Sequence, residues 1–244
     1  MRYFIKLGFK GTQYHGWQTQ ANATSIQSVL DNSLSILLKE NIFSTGAGRT
    51  DTGVHAKEFY AHFDILEKKI FDENFIGRLN IFLPKDIVVF EIFSVDDKMH
   101  ARFDATSRTY EYHIHQKKDP FLEQYSCYVY KKLDVEKMNE AAQLLLQYKD
   151  FKCFSKSRTQ VNNFICDIKS AKWNKDENRL IFTITANRFL RNMVRAIVGT
   201  LLEVGCGELS IEDFKKVIES GDRANAGESV DACGLYLTKI EYQT

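Results

Sequence analysis

The sequence predicts an α+β protein: two similar α/β halves with a mainly antiparallel central sheet flanked by helices. Three observations predict it. Strand-like and helix-like segments alternate along all 244 residues, with no low-complexity tract and no short-period repeat. Two strand segments near residue 177 are joined by a turn short enough for a hairpin. The composition, 44% hydrophobic and 27% charged with only 2 prolines, is that of a chain that buries a core and carries no long linker.

The elements follow in order. Arg2–Phe9 carries β-favouring Tyr3, Phe4, Ile5 and Phe9 and ends at Gly11, which predicts a strand. Thr24-Ser25-Ile26-Gln27 matches a capping box. Behind it Ile26, Val29, Leu30, Leu34, Leu37 and Leu38 recur at three and four residues, one face of a helix to about Lys39. Strands are expected at Ile42–Thr45, Phe59–Phe63 and Ile87–Val95, with a short helix around Phe75–Ile81. Arg108–His115 alternates in the strand manner, and Asp134 caps a helix to about Gln147. Phe164–Trp173 and Leu180–Thr185 form the hairpin around Lys175–Arg179. A helix is expected from about Phe189 to Val204, stopping at Gly205, and Ser210 caps a last helix that ends before Gly221. Leu235–Tyr242 closes the chain as a strand. The halves divide at residues 1–104 and 105–244.

Several function classes fall away. No apolar run approaches the roughly 18 residues of a membrane span, and the first residues lack a secretory apolar stretch, so a cytoplasmic protein is expected. Lys+Arg 33 against Asp+Glu 32 leaves a net charge of +1. Up to Asp104 there are 12 basic and 13 acidic residues, and 21 and 19 after it. A nucleic-acid surface must therefore be a local arrangement. The 5 cysteines are widely spaced, with no C-x-x-C pair or zinc-ligand spacing, as expected of reduced thiols.

Three stretches carry chemistry. In Gly46-Ala47-Gly48-Arg49-Thr50-Asp51-Thr52-Gly53-Val54-His55-Ala56, glycines frame a carboxylate, a guanidinium, an imidazole and two hydroxyls. A polar surface loop with an internal Arg–Asp pair would read this way; so would a rigid loop presenting Asp51. The Asp-Thr-Gly tripeptide is also that of aspartic proteases, but it occurs once here and in a helix-rich chain, whereas that chemistry needs two carboxylates. In Arg108-Thr109-Tyr110-Glu111-Tyr112, alternation puts Arg108, Tyr110 and Tyr112 on one face. Tyrosines on a strand pack cores, but an arginine beside them suits a nucleobase and its phosphate. With Asn187–Arg195 read as helix, Arg188, Arg191 and Arg195 would share a sector of about 60°, with Arg191 and Arg195 at the margin of the apolar face. Such arginines either snorkel or meet an anion or a buried carboxylate.

These stretches, taken with Gly11-Thr12, Gly16-Trp17-Gln18, Leu83-Pro84-Lys85-Asp86-Ile87 and His100-Ala101-Arg102-Phe103, resemble the tRNA pseudouridine synthase A (TruA) family over almost the whole chain. Arg-Thr-Asp-Thr-Gly-Val-His is the most specific piece. One departure stands near the C-terminus, where Asp231-Ala232-Cys233-Gly234-Leu235 replaces an Ala-Pro pair ahead of Gly-Leu. The resemblance implies the pseudouridine-synthase fold and conversion of uridines 38, 39 and 40 in the anticodon stem-loop of tRNA, with no redox cofactor, ATP or metal. It implies Asp51 as nucleophile, Arg195 as the basic residue that pairs with it and holds it ionised, and Tyr110 stacked on the target base with its phenol as a candidate proton acceptor. It implies Arg49 as the side chain filling the space left by the flipped uridine, and a homodimer whose tRNA touches both subunits.

Two other classes compete. A non-catalytic RNA-binding protein on the same scaffold would keep the aromatics and cations but need no carboxylate in a glycine-framed loop, which makes Asp51 the discriminator. A small-molecule enzyme using Asp51 for acid–base work needs a second titratable group nearby, for which His55 and His62 are the candidates.

Overall fold

The computed structural model describes residues 1–157, 163–176 and 178–243. It divides into two compact units, residues 1–106 with 237–244, and residues 107–236.

In the first unit, β1 (Arg2–Phe9) lies between β4 (Ile87–Val95) and β3 (His55–Asp64), antiparallel to both. The two-residue β2 (Thr45–Gly46) pairs with β3 at Thr45–His62 and Gly46–Ala61. Helices α1 (Ile26–Leu38) and α2 (Glu73–Phe82) accompany this sheet. Buried Ile26, Leu30, Leu34 and Leu38 make one stripe of α1, while Val29 and Leu37 of the expected face are half-buried. Each fully buried leucine of that stripe stabilises the unit by roughly 1.5–3 kcal/mol. The capping box sits one residue later than expected: Ser25 accepts from Ser28 N at 3.1 Å, and Ser28 Oγ accepts in turn from Ser25 N. Serine at the third helical position does the work that the pattern assigned to Gln27. Asp72 caps α2 through Phe75 N at 2.9 Å.

In the second unit, β5 (Ala105–His115) pairs antiparallel with β8 (Arg179–Ala186), and β8 with β7 (Ile168–Asp176). The short β6 (Cys127–Tyr128) runs parallel to β5. Asp176 pairs directly with Arg179, and Glu177 of the expected turn lies outside the described residues. Helices α3 (Val135–Leu144), α4 (Met193–Gly205) and α5 (Ile211–Ser220) pack with this sheet and one another, α3 continuing as a 3-10 turn to Gln147. The final strand β9 (Leu235–Tyr242) brings its last residues to the first unit, where Ile240 N donates to Glu58 Oε1 at 3.0 Å. The mainly antiparallel α+β architecture is as expected.

Several boundaries differ. The strand expected at Ile42–Thr45 is reduced to the two-residue β2, with residues 42–44 in no strand. Phe164–Cys166 does not join β7. It pairs locally instead, Phe151 N donating to Phe164 O at 3.1 Å and Cys166 N to Lys149 O at 2.9 Å. Helix α4 starts at Met193, not Phe189, because Asn192 takes the left-handed region at φ 67°, which asparagine tolerates. Its Nδ2 donates to Ser229 Oγ. Arg188 and Arg191 therefore lie outside the helix, and the shared three-arginine sector does not exist.

Candidate active site

The Asp51 loop runs from β2 to β3 and is held by the segment just after β1. Gly16, at φ 81°, lies so close that a Cβ would collide with Thr50 O. A Cβ on Gly11 would collide with Val54 O, and one on Gly46 with the Trp17 indole. Trp17, 1% exposed, stacks on Phe59 with ring centroids 4.3 Å apart. Backbone bonds finish the attachment: Gly53 N donates to Tyr14 O at 3.3 Å, Val54 N to Asp51 O at 3.2 Å, and Ala47 N to Tyr60 O at 2.8 Å. Gly53 sits at φ 81°, the left-handed region that favours glycine. Asp51 is half-buried and Arg49 exposed on this scaffold. A carboxylate is thus presented by a backbone with little freedom, which lowers the ordering cost of any reaction it performs.

Neither histidine offers itself as an acid–base partner. His55 is buried and its Nδ1 accepts from Gly11 N at 3.2 Å. His62 Nδ1 accepts from Ala101 N at 3.1 Å, and burial, with Arg2 nearby, lowers its pKa to about 4. Each ring uses its Nδ1 to hold backbone. Ala101 is pinned from its other side by Tyr242 Oη, which donates to its carbonyl at 2.7 Å. The His100-Ala101-Arg102-Phe103 turn is thereby fixed, with His100 N on Asp104 Oδ2 at 2.6 Å.

In the second unit the two tyrosines of β5 separate. Tyr112 is fully buried and donates to Asp231 O at 2.8 Å, a core tyrosine. Tyr110 is half-exposed, its ring meeting Phe189 edge-on at 5.1 Å and 85°. Phe189, in the non-helical lead into α4, had no role in the expectations from sequence; an aromatic flanking a basic run was the only signal. Asp231, at φ −58°, has the backbone angle a proline would impose.

Arg195 stands at the third position of α4, half-buried, with Nε donating to Val230 O at 2.7 Å. The segment that supplies Val230 lies tight on the helix: a Cβ on Gly199 would collide with Glu228 O, and Gly227 N donates to Thr200 Oγ1 at 3.0 Å. One face of the guanidinium fork is thus anchored and its direction set. Arg191 is exposed, and Arg188 is half-buried with a long bond to Asn163 O at 3.5 Å.

A family model described as tRNA pseudouridine synthase matches residues 141–243. Named tRNA pseudouridine synthase A, a protein of Bacteroides thetaiotaomicron is 50% identical across 99% of this chain and 90% of its own length. Its namesake in Bacteroides fragilis is 50% identical over 99% and 96%. That of Francisella tularensis subsp. novicida is 36% identical over 98% and 93%. The chain belongs to the tRNA pseudouridine synthase A family. The resemblance read from the motifs is borne out, and the Asp51 loop is its most specific stretch. Within this synthase family's frame, the supports that sequence reasoning left without a role are Tyr14, Trp17, Phe189 and Val230. Each acts through a backbone atom or a ring face, which residue type alone does not announce. No group of three or more His, Cys, Asp or Glu residues able to hold a metal occurs among the described residues, and no described helix is long and apolar enough to cross a membrane.

Proposed function

We propose that this protein isomerises uridine to pseudouridine at positions 38, 39 and 40 of the tRNA anticodon stem-loop, with Asp51 as nucleophile. The observation that carries this reading is the Asp51 loop itself, locked by Gly16, Gly53 and the Tyr14 carbonyl so that one carboxylate is held at a fixed place. The uridine turns out of its stack, at a cost of a few kcal/mol. The N1–C1′ bond breaks as the Asp51 carboxylate takes C1′, the freed uracil rotates, and C5 joins C1′ as the ester to Asp51 reopens. The proton on C5 then leaves to a base, for which the Tyr110 phenol oxygen is the candidate, and N1 takes up a proton, so that product and substrate have the same composition. No electron is gained or lost.

The other roles follow from where the groups are held. Tyr110 gives the base a half-exposed ring backed by Phe189. Arg195, held through Nε by Val230, pairs with Asp51 and keeps it ionised and aimed. Arg49, exposed next to the nucleophile, fills the space the uridine vacates. In this division, residues 1–104 carry the nucleophile and residues 105–244 the stacking ring and its arginine. The protein acts in the cytoplasm as a homodimer whose tRNA touches both subunits, which assembles a basic surface that a net charge of +1 does not display.

The test is incubation with unmodified tRNA and no added cofactor, followed by mapping of pseudouridine in the anticodon arm. Modification at positions 38 to 40 is expected, and Asp51→Asn should bind tRNA nearly as well while forming none. A non-catalytic RNA-binding protein would bind and leave every uridine unchanged. Turnover by Asp51→Asn would remove the carboxylate from the mechanism.

A further inference from the structure

A pocket of about 90 Å3 opens in the first unit, lined in part by Gln18, Gln27, Ser44, Gly48, Arg49 and Arg102. Ligand pockets for nucleoside-sized molecules run to roughly 300–1,000 Å3, so this one suits a single small group. Its lining holds two guanidiniums and no carboxylate, which selects an anion. Its wall is rigid: Gln27 Oε1 accepts from Gln18 Nε2 at 3.0 Å and from Thr19 N at 2.9 Å, and Gln27 Nε2 donates to Ser44 O at 2.6 Å. Two further features ask for a ligand. Ser44 is 3% exposed, and its hydroxyl makes no hydrogen bond of good geometry within the chain although the Asp31 carboxyl lies beside it. Gly48 needs glycine neither for conformation nor for packing. Its φ is not positive, and an added Cβ meets nothing within 4 Å. What a side chain there would take up is the open space of the pocket.

We propose that this pocket takes one phosphodiester of the RNA strand, gripped by Arg102 and the Ser44 hydroxyl. Arg102 is then a positioning residue: it fixes the strand whose uridine is turned toward Asp51. The idea rests on the reading of this chain as a tRNA-modifying enzyme and adds a contact to it. A guanidinium suits the part because its planar fork can meet two phosphate oxygens at once. Phosphate contacts set register and orientation on a nucleic acid rather than sequence. The turn that carries Arg102 is pinned at Ala101 from both sides, by His62 and by Tyr242, so the grip would be preorganised.

The experiment is the affinity for unmodified tRNA across a salt series, for wild type, Arg102→Gln, Arg102→Lys and Gly48→Ala, with melting temperatures alongside. Arg102→Gln is expected to bind about 10-fold more weakly, with the slope of log affinity against log salt shallower by about one, the loss of one phosphate contact. Its loss in turnover should fall on KM more than on kcat. Arg102→Lys should recover the slope, and Gly48→Ala should weaken binding with an unchanged melting temperature. An unchanged slope and affinity in Arg102→Gln, or in Gly48→Ala should the first variant fail to fold, overturns the pocket. Wild type that binds tRNA with the full slope yet forms no pseudouridine overturns the enzymatic reading and leaves the pocket standing.

Discussion

Gly16 is pressed against Thr50 so closely that its own missing side chain is what lets the Asp51 loop lie where it does. The two residues belong to segments that meet only in the folded chain, one just after β1 and one just before β3. The same contact couples stability to presentation of Asp51, since the Thr50 carbonyl is bonded directly to the Asp51 amide.

Gly16→Ala is therefore expected to destabilise by about 2 kcal/mol or more, from the φ of 81° and the collision with Thr50 together. Pseudouridine formation should fall with it, even at a temperature where the variant is fully folded. Thermal melts and single-turnover assays at 20 °C below the midpoint check this. A variant as stable and as active as wild type would mean that the loop can shift without consequence.

For Arg195, charge and geometry can be separated. Arg195→Lys keeps a cation but cannot reproduce a fork that bonds Val230 O and still directs a second pair of donors. Turnover is expected to drop at least tenfold, with tRNA affinity little changed. Arg195→Ala should additionally lose about 3–5 kcal/mol of stability if Asp51 is left without its counter-ion. Measuring kcat and unfolding free energy on both variants decides it.

The Tyr110 ring and its hydroxyl make different predictions. Tyr110→Phe keeps the edge-on contact with Phe189, so binding and melting should hold while the last proton transfer slows by roughly 100-fold or more. Tyr110→Ala removes the stacking surface as well, and affinity for the target stem-loop should fall by about 1–3 kcal/mol. Full activity in Tyr110→Phe would assign the C5 proton to another acceptor.

A pH signature comes from Asp31 on α1. Burial pushes the pKa of its carboxyl up to about 6, although the Ser44 hydroxyl beside it and the Ser44 amide, which donates to Oδ1 at 3.0 Å, pull the other way. A carboxyl raised in the folded state stabilises fully below its ordinary value near 4, and that contribution is lost as pH rises through 6. Asp31→Asn keeps the acceptor and removes the ionisation. It should be more stable than wild type above pH 6, with the advantage vanishing below pH 4; denaturant melts across that range test it.

Much of this protein was legible from local pattern. The bounds of β1, β4, β9 and α5 agree with alternation, caps and terminating glycines, because those signals are set by neighbours within a few residues. The Asp51 loop announced itself by composition. What the chain could not state by itself were the outcomes of contacts between distant segments. Apolar spacing runs unbroken from Leu190 through Val194, yet the helix waits until Met193 because Asn192 turns left-handed against Ser229. Tyr110 and Tyr112 are equivalent by alternation, and only the Asp231 carbonyl and Phe189 make one core and the other surface. Gly16 and Gly48 are the same letter, but backbone from a remote loop crowds the place of a Cβ on one and nothing lies within 4 Å of a Cβ on the other. Periodicity records which way a side chain points from its own element; what it meets there depends on chain far away in sequence, and that is decided only when the fold closes.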